Sequence, residues 1–173
     1  MEKGYVQIYT GNGKGKTTAA LGLITRAVGH NFKIFLCQFL KGRDYGELHT
    51  LQKFETVTYE RYGRGIFIKS KEFVTDEDKK LMREGYESLK NALLSGKFDI
   101  VIADEILGTL RYDLISVDEI KFLIKNKPET TELILTGRNA PDELIEMADL
   151  VTEMKEIKHY FQKGIMARKG IEK

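Results

Sequence analysis

The stretch TGNGKGKTTA at residues 10–19 constrains the fold of this chain more than any other part of it. An apolar run at residues 5–9 precedes it and predicts a buried strand, and the helical spacing of apolar residues over 16–28 predicts a helix directly after it. A glycine-rich turn between a strand and a helix is typical of a loop that binds phosphate. The alternative is a tight turn without a ligand, but the strand–loop–helix context favours the phosphate-binding loop.

Each residue type in this loop has a physical role in holding a chain of phosphates. The spacing departs from G-x-x-x-x-G-K-T at one position, where Thr10 stands in place of the first glycine. Lys16 is expected to carry its ammonium to the β and γ phosphates, and the hydroxyl of Thr17 is placed to hold Mg²⁺. Glycine permits the backbone conformations that turn successive N–H groups inward. We predict nucleotide contacts from the whole loop, namely Thr10, Gly11, Asn12, Gly13, Lys14, Gly15, Lys16, Thr17 and Thr18.

Strands and helices alternate along the rest of the chain. Apolar runs predict further strands at residues 33–40, 57–61, 99–105, 132–136 and 150–157. Helical spacing and capping residues predict helices at residues 48–54, 75–94, 116–124 and 141–147. This alternation predicts an α/β fold, with a mainly parallel sheet of about six strands and helices on both faces. We expect residues 1–173 to form a single domain in which the basic stretch 158–173 is irregular.

Composition argues against several classes of partner. The 28 Lys and Arg residues nearly balance the 26 Asp and Glu residues, and a net charge of +2 argues against nucleic acid as a ligand. No apolar run has the length of a membrane span, so we expect no membrane association. The single cysteine, Cys37, lies in an apolar run and is expected to be a buried thiol. One cysteine and the lack of a leader-like segment predict a cytoplasmic protein.

Two carboxylates end the strand that is predicted at residues 99–105. Asp104 and Glu105 directly follow the apolar run IVIA, which is the pattern of a Walker B element. In such an element the acid at the tip of the strand joins the Mg²⁺ of a nucleotide bound at the phosphate loop. Many strands merely end in acids, but the upstream loop favours the metal site. We therefore predict Thr17, Asp104 and Glu105 as metal ligands.

Two further loops are predicted at the same edge of the sheet as the phosphate-binding loop. Lys41 opens a polar, glycine-containing stretch after the second strand, and we predict that it contacts the nucleotide. Arg138 follows the fifth strand, where it either reaches a phosphate or carboxylate of a ligand or forms a surface ion pair. Residues 62–68 mix glycines with apolar side chains, and they predict either a cover for an apolar ligand or a turn that packs on the core.

Several blocks of sequence together resemble the ATP:corrinoid adenosyltransferases of cobalamin biosynthesis. The blocks are GNGKGKTTAA at residues 11–20, QFLKG at 38–42, DE at 104–105, LTGRNAP at 135–141, ADLVTE at 148–153, KH at 158–159 and KGIE at 169–172. The phosphate-binding loop alone indicates only a superfamily, whereas LTGRNAP, ADLVTE and KGIE are far more specific. The resemblance extends over about residues 5–172.

This resemblance implies a RecA-like P-loop fold and a homodimeric transferase of cobalamin biosynthesis or salvage. Its substrates would be ATP and a reduced corrinoid, whose Co(I) attacks C5′ of ATP while triphosphate leaves. Mg²⁺ is the implied cofactor, and a flavodoxin-like electron donor is an implied partner. Lys16 and Glu105 are the expected catalytic residues beside the nucleotide. Phe67, supported by Ile66 and Ile68, is the expected catalytic contact with the corrinoid.

Two other functions are compatible with the residues. A P-loop ATPase or kinase would release ADP, with Glu105 orienting a water molecule. A non-catalytic protein that binds a nucleotide or a corrinoid would show no turnover at all. DNA strand exchange is disfavoured, because the charge is near neutral and no basic stripe with interleaved aromatic residues is present.

Overall fold

A computed structural model of the protein describes residues 2–43 and 45–172. Within these ranges six strands form one sheet, and every pair of neighbouring strands is parallel. The strands are β1 (Val6–Thr10), β2 (Ile34–Phe39), β3 (Val57–Tyr62), β4 (Ile100–Asp104), β5 (Glu132–Thr136) and β6 (Leu150–Glu153). The α-helices are α1 (Lys16–Val28), α2 (Gly46–Leu51), α3 (Asp76–Leu94), α4 (Ile106–Thr109), α5 (Val117–Asn126) and α6 (Asp142–Ile145). Short 3₁₀ helices cover Lys71–Phe73, Leu110–Tyr112 and Tyr160–Lys163.

The strand order β3-β2-β4-β5-β1-β6 brings the functional loops to one edge of the sheet. β5 pairs with β1 on one side and with β4 on the other, so it separates the phosphate-binding strand from the strand that ends in the two acids. Because all the strands are parallel, their carboxyl ends lie at the same edge. The loops after β1, β2, β4 and β5 therefore converge where sheets of this kind bind ligands.

Apolar side chains cover both faces of the sheet. Strands β2, β4 and β5 are buried along their whole length, as expected for parallel strands with helices on either side. On one face, α1 packs through Ala20, Ile24 and Ala27 in a cluster that includes Ile102 of β4. On the other face α3 and α5 pack in a larger cluster, where Leu89 is fully buried. Packed apolar clusters on both faces therefore support the edge of the sheet that carries these loops.

A capping box begins α3 and also ties the preceding loop to it. The N–H of Asp78 donates to Thr75 Oγ1 at 3.3 Å, and the N–H of Thr75 donates to Asp78 Oδ2 at 2.9 Å. Arg64 donates two further hydrogen bonds to the same carboxylate, each at 2.7 Å. Burial alone would raise the pKa of Asp78, but the bonds from Arg64 and Thr75 outweigh it and lower the pKa. The loop after β3 is therefore fixed by a paired, buried charge.

The predicted α/β architecture, with about six mainly parallel strands and helices on both faces, is confirmed. Three strand ends were predicted too late. β2 ends at Phe39, because Leu40 adopts a left-handed conformation with φ of 58°. β6 ends at Glu153, because the next residue, Met154, hydrogen-bonds to the phosphate-binding loop. β4 ends at Asp104, because Glu105 adopts a left-handed conformation with φ of 61° and opens α4, which the sequence did not predict.

Smaller differences concern the helices and the stretch 158–173. The second helix occupies Gly46–Leu51 rather than residues 48–54. The stretch predicted to be irregular contains the 3₁₀ helix Tyr160–Lys163, which ends at Gly164 with φ of 77°. Among the residues that the structure describes, no helix is long and apolar enough to cross a membrane.

Truncation of Ile102 tests the importance of the sheet core for stability. Ile102 is fully buried in the middle of β4, and Ile102→Ala should lower the free energy of unfolding by about 2–5 kcal/mol through lost burial and a residual cavity. Urea denaturation measures this loss. Leu94→Ala, at a position 44% exposed on α3, is the control and should change the stability by less than about 1 kcal/mol. Equal losses at the two positions would contradict the described packing.

Candidate functional site

The phosphate-binding loop is closed around the side chain of its own second lysine. Gly15 holds φ of 126° immediately before α1, a conformation that a side chain would strain. Lys16 is 6% exposed, and its ammonium donates to the carbonyls of Gly11 at 2.7 Å and Gly13 at 2.8 Å. Burial lowers the pKa of Lys16, and the nearby charge of Arg138 acts in the same direction. The backbone of the loop thus surrounds the positively charged end of the Lys16 side chain.

The chain after β6 packs tightly on this loop. A Cβ atom on Gly11 or on Gly13 would lie 2.6 Å from the carbonyl oxygen of Met154, so both positions require glycine for close approach. The N–H of Gly13 donates to that oxygen at 2.6 Å, and the N–H of Met154 donates to the carbonyl of Thr10. The hydroxyl of Thr10 accepts a hydrogen bond at 3.2 Å from the N–H of Ala140. Thr10 and Gly13 therefore hold neighbouring loops in place.

The carboxylate of Asp104 lies at the centre of the site and is fully buried. Its Oδ1 accepts from the hydroxyls of Thr17 at 2.9 Å and Thr136 at 2.7 Å. Its Oδ2 accepts from Gln38 Nε2 at 2.9 Å and from the ammonium of Lys41 at 2.7 Å. These donors come from α1, β2, β5 and the loop after β2. One buried acid thus fixes four segments against each other.

The ammonium of Lys41 contacts both the hydroxyl and the carboxylate that were predicted to bind metal. It is 3.2 Å from Thr17 Oγ1 and 2.7 Å from Asp104 Oδ2. Leu40 holds φ of 58°, which is rare for a side chain with no polar group. This conformation turns the chain at the end of β2 and aims Lys41 into the site. A positively charged group is therefore already in contact with both oxygen atoms.

Glu105 is held beside Asp104 but in a different environment. Its N–H donates to Thr136 Oγ1 at 2.9 Å, which fixes the start of α4. Burial and then the charge of Asp104 raise the pKa of Glu105, although Lys41 and other cations oppose this. A Cβ atom on Gly108 would lie 3.2 Å from Glu105 Oε2, so the carboxylate lies close to α4. Burial and the neighbouring negative charge thus favour the protonated form of Glu105 by raising its pKa.

A cavity of about 920 Å³ opens directly beside these charged groups. Lys41, Glu105 and Arg138 line it, and the ammonium of Lys41 also contacts the hydroxyl of Thr17 at 3.2 Å. Much of the remaining wall is apolar or aromatic, and includes Phe39, Leu40, Ile66, Phe67, Ile68, Met82, Leu107, Leu110, Tyr112 and Phe161. The volume is near the upper end of the usual range for small-molecule sites, about 300–1,000 Å³. The cavity has room for a second, largely apolar ligand next to a nucleotide.

The loop at residues 63–68 forms one wall of this cavity and is anchored on both sides. The pair Arg64–Asp78 fixes its beginning, and the hydroxyl of Tyr112 donates to the carbonyl of Ile68 at 2.7 Å. Between these anchors Phe67 is 76% exposed, whereas the side chain of Ile68 is buried in the core. The end of this stretch therefore packs on the core, as one sequence-based alternative predicts. Its crest lines the cavity, and a role as the cover of an apolar ligand stays a prediction.

The remaining residues that were predicted to contact the nucleotide lie in different environments. Arg138 lines the cavity, and within residues 2–43 and 45–172 it forms no salt bridge. Asn12 and Thr18 are exposed on the loop. Lys14 points away from the other loop residues, and its ammonium lies 2.9 Å from Glu172 Oε1. No group of three or more His, Cys, Asp or Glu side chains suited to a metal occurs among the described residues.

Sequence reasoning missed several groups that the fold brings to the site. Gln38 joins Asp104 to the hydroxyl of Tyr59, which donates to Gln38 Oε1 at 3.0 Å. The sequence does indicate a role for Gln38, since an amide side chain within the apolar strand IFLCQF needs buried hydrogen-bond partners. Thr136, at the end of β5, gave no comparable signal. His159 and Phe161 also line the cavity, although they lie far from the phosphate-binding loop in the sequence.

Comparisons with known proteins agree on one family. The family model described as ATP:corrinoid adenosyltransferase BtuR/CobO/CobP matches residues 2–172. A corrinoid adenosyltransferase of Sinorhizobium sp. is 39% identical over 175 residues, covering 99% of this chain and 81% of the relative. The corrinoid adenosyltransferase of Escherichia coli K12 is 34% identical, covering 99% and 86%. Corrinoid adenosyltransferase CobA of Salmonella typhimurium LT2 is 33% identical with the same coverage.

The fold also resembles a solved structure of low sequence identity. The RadB recombinase superposes with a TM-score of 0.56 at 15% identity, and the match covers 91% of this chain and 77% of that one. This likeness concerns the fold alone. It agrees with the RecA-like arrangement in which one strand separates the phosphate-binding strand from the strand that ends in acids.

Replacement of Glu105 by Gln should stabilise the protein in a pH-dependent way. Because burial raises the pKa of Glu105 in the folded state above its unfolded value, the folded protein is penalised once the pH rises above that unfolded value. Glu105→Gln should therefore increase the free energy of unfolding at pH 7, and the gain should disappear towards pH 4. Urea denaturation at both pH values measures the difference.

Glu119→Gln provides the matched control. Burial opposes ionisation of Glu119, but hydrogen bonds from Arg83 and Ser116 outweigh it and lower the pKa. This carboxylate stabilises the fold above its unfolded pKa, so its replacement should destabilise the protein at pH 7 and matter less at pH 4. Losses of stability at pH 7 in both variants would contradict the environment described for Glu105.

Proposed function

We propose, from the premise that this chain belongs to the ATP:corrinoid adenosyltransferase family, that it transfers the 5′-deoxyadenosyl group of ATP to Co(I) of a corrinoid. Inorganic triphosphate is the second product. This proposal rests on the cavity of about 920 Å³ that is lined by Lys41, Glu105 and Arg138, of which Lys41 also contacts Thr17 of the phosphate-binding loop. An ATPase needs space for a water molecule beside the phosphates, whereas this site offers space for a large, partly apolar second substrate.

The transfer forms a cobalt–carbon bond and breaks the bond between C5′ and its oxygen. Co(I) supplies the electron pair for the new bond and is formally oxidised to Co(III), while the triphosphate leaves with the electron pair of the broken bond. The substrate is itself the nucleophile, so no general base is required. The residues of the chain contribute mainly by placing the two reactants in line and by stabilising the charge on the leaving group.

Lys16 and the loop around it are proposed to bind the phosphates. The Lys16 ammonium lies 2.7 Å from the carbonyl oxygen of Gly11 and 2.8 Å from that of Gly13. When ATP binds, phosphate oxygens would replace these two carbonyls as its hydrogen-bond acceptors. The first-turn N–H groups of α1 add a positive end of the helix dipole. We assign nucleotide contacts to the loop at residues 10–18, to which Lys14 contributes its backbone N–H and not its side chain, and to Lys41 and Arg138 in the wall of the cavity. The catalytic role of Lys16 is to neutralise the developing triphosphate.

Thr17 and Asp104 are the residues that would hold Mg²⁺, with Glu105 beside them. The fit rests on chemistry and geometry, since hydroxyl and carboxylate oxygens suit this cation and the Lys41 ammonium already contacts both groups. When bound, Mg²⁺ supplies additional positive charge to the phosphate oxygens. Asp104 and Thr17 keep each other in place through their 2.9 Å hydrogen bond.

Phe67 is the proposed catalytic contact with the corrinoid. It is 76% exposed at the crest of a loop that Arg64 and Tyr112 anchor at either end. Ile66 lies beside it and is also exposed, so the crest presents apolar surface to the cavity. A planar macrocycle that packs against this crest would be shielded from water while its cobalt faces the nucleotide.

The remaining biological setting is proposed from the family. We propose that residues 1–173 act as one domain, that the enzyme is a cytoplasmic homodimer of cobalamin biosynthesis or salvage, and that a flavodoxin-like protein supplies electrons. Exposed apolar side chains near the cavity support a covered surface in the working enzyme. They are Ile66, Phe67 and Phe161, which line the cavity and are largely exposed.

Identification of the products distinguishes the proposed transferase from an ATPase. With ATP, Mg²⁺ and chemically reduced cobalamin, the visible spectrum should change to that of an alkylcobalamin, and triphosphate should accumulate in equal amount. Without the corrinoid, ATP should remain intact. Detection of ADP as the sole phosphate product would contradict the transferase assignment and indicate an ATPase. Binding of ATP without any product would instead favour a non-catalytic binding protein.

Replacement of Lys16 should abolish turnover. Lys16→Ala removes the cation that neutralises the leaving group, and the rate of adenosyl transfer should fall by about 100-fold or more. Lys53→Ala, at an exposed position after α2, is the control and should retain the parent rate. Thermal unfolding of both variants checks that the fold persists. A Lys16→Ala enzyme with a near-normal rate would show that the phosphates bind elsewhere.

A further inference from the structure

The stretch at residues 156–172, here called the C-terminal strap, runs between the phosphate-binding loop and the cavity. Side chains of its first part line the cavity, namely Glu156, His159, Phe161 and Gln162. Its last described residue, Glu172, lies against Lys14 of the phosphate-binding loop. The two ends of the strap thus contact the two regions assigned to the two substrates.

Lys14 is the residue of the phosphate-binding loop that holds the strap. Its ammonium donates to Glu172 Oε1 at 2.9 Å, to the hydroxyl of Tyr160 at 3.2 Å and to the carbonyl of Ile171 at 3.4 Å. The same ammonium lies 5.9 Å from the centre of the Tyr160 ring. One lysine therefore joins the beginning and the end of the strap to the loop.

Glu172 closes the strap on itself at the same point. Its carboxylate accepts hydrogen bonds from the backbone N–H of Arg168 at 2.8 Å and from the hydroxyl of Tyr160. The guanidinium of Arg168 lies 5.0 Å from the centre of the Tyr160 ring. The side chain of Glu172 is only 15% exposed, although it lies near the end of the described chain. Such a closed set of contacts specifies the position of the strap rather than leaving it loose.

The alternation of side chains along the strap links this anchor to the cavity. His159 and Phe161 line the cavity, whereas Tyr160 between them contacts Lys14 and Glu172. The 3₁₀ helix that begins at Tyr160 is fixed by the N–H of Phe161, which donates to His159 Nδ1 at 3.1 Å. A displacement of Tyr160 would therefore move both neighbours in the cavity wall.

We propose that Lys14 and Glu172 are positioning residues, which hold the C-terminal strap so that His159 and Phe161 complete the wall of the corrinoid cavity. This inference rests on the proposed function, since it assigns the cavity to the corrinoid. It changes the predicted role of Lys14, which holds the strap instead of a phosphate. Loss of the pair weakens binding of the corrinoid and leaves binding of ATP unaffected.

The kinetic test compares Lys14→Met, Glu172→Gln and the double variant. Each single variant should raise KM for the reduced corrinoid by about fivefold, the scale of one partly exposed ion pair, with kcat and KM for ATP within about twofold of the parent. The double variant should be no worse than either single one, because both remove the same contact. Lys14→Arg should restore the parent KM, and Lys163→Gln on the same strap is the control for charge alone.

Limited digestion with trypsin provides a readout that does not depend on catalysis. Release of the strap in Glu172→Gln should speed cleavage after Arg168 and Lys169, while the midpoint of thermal unfolding stays close to that of the parent. Unchanged cleavage rates would overturn the inference even if the parent enzyme proved to have no transferase activity. A higher KM for ATP in Lys14→Met, together with parent values for Glu172→Gln, would overturn it in favour of a phosphate contact.

Discussion

A carboxylate buried at the end of β4 must be surrounded by donors, and the rest of the site depends on how this chain supplies them. Asp104 receives hydrogen bonds from Thr17, Gln38, Lys41 and Thr136, at distances between 2.7 and 2.9 Å. An unpaired buried charge costs several kcal/mol, whereas these four donors offset most of that cost. The phosphate-binding helix, β2, β5 and the loop after β2 are therefore fixed relative to each other by the same acid that would hold Mg²⁺.

Local strain is the second feature of this edge of the sheet. Leu40 and Glu105 follow the neighbouring strands β2 and β4, and both adopt left-handed conformations, with φ of 58° and 61°. Each conformation costs about 1–2 kcal/mol for a residue with a side chain. The stable two-sided core compensates for it, and the result is that Lys41 and Glu105 point towards the cavity instead of continuing along their strands. Strain thus aims the charged groups at the boundary between the two proposed substrates.

The amino-acid sequence predicted the sheet and the meeting of Lys16, Thr17 and Asp104, because loop motifs and parallel strands place these residues at one edge. It did not predict α4, since nothing in the sequence marks Glu105 as left-handed. It also did not predict that the side chain of Lys14 contacts a residue 158 positions away. Sequence patterns within one segment predict local structure and the meeting of strand ends at one edge of the sheet. They do not carry pairings between a loop and a distant strap, which depend on the completed fold.

We propose that the site breaks the bond between C5′ and oxygen of ATP and leaves the bonds within the phosphate chain intact. ATP labelled with ¹⁸O at the 5′ oxygen tests this claim directly when it is supplied with Mg²⁺ and chemically reduced cobalamin. The label should appear in the inorganic triphosphate, as read by mass spectrometry, and none of it should remain attached to the adenosyl group. Label retained in ADP or AMP would show that a phosphorus–oxygen bond breaks, and it would contradict the account.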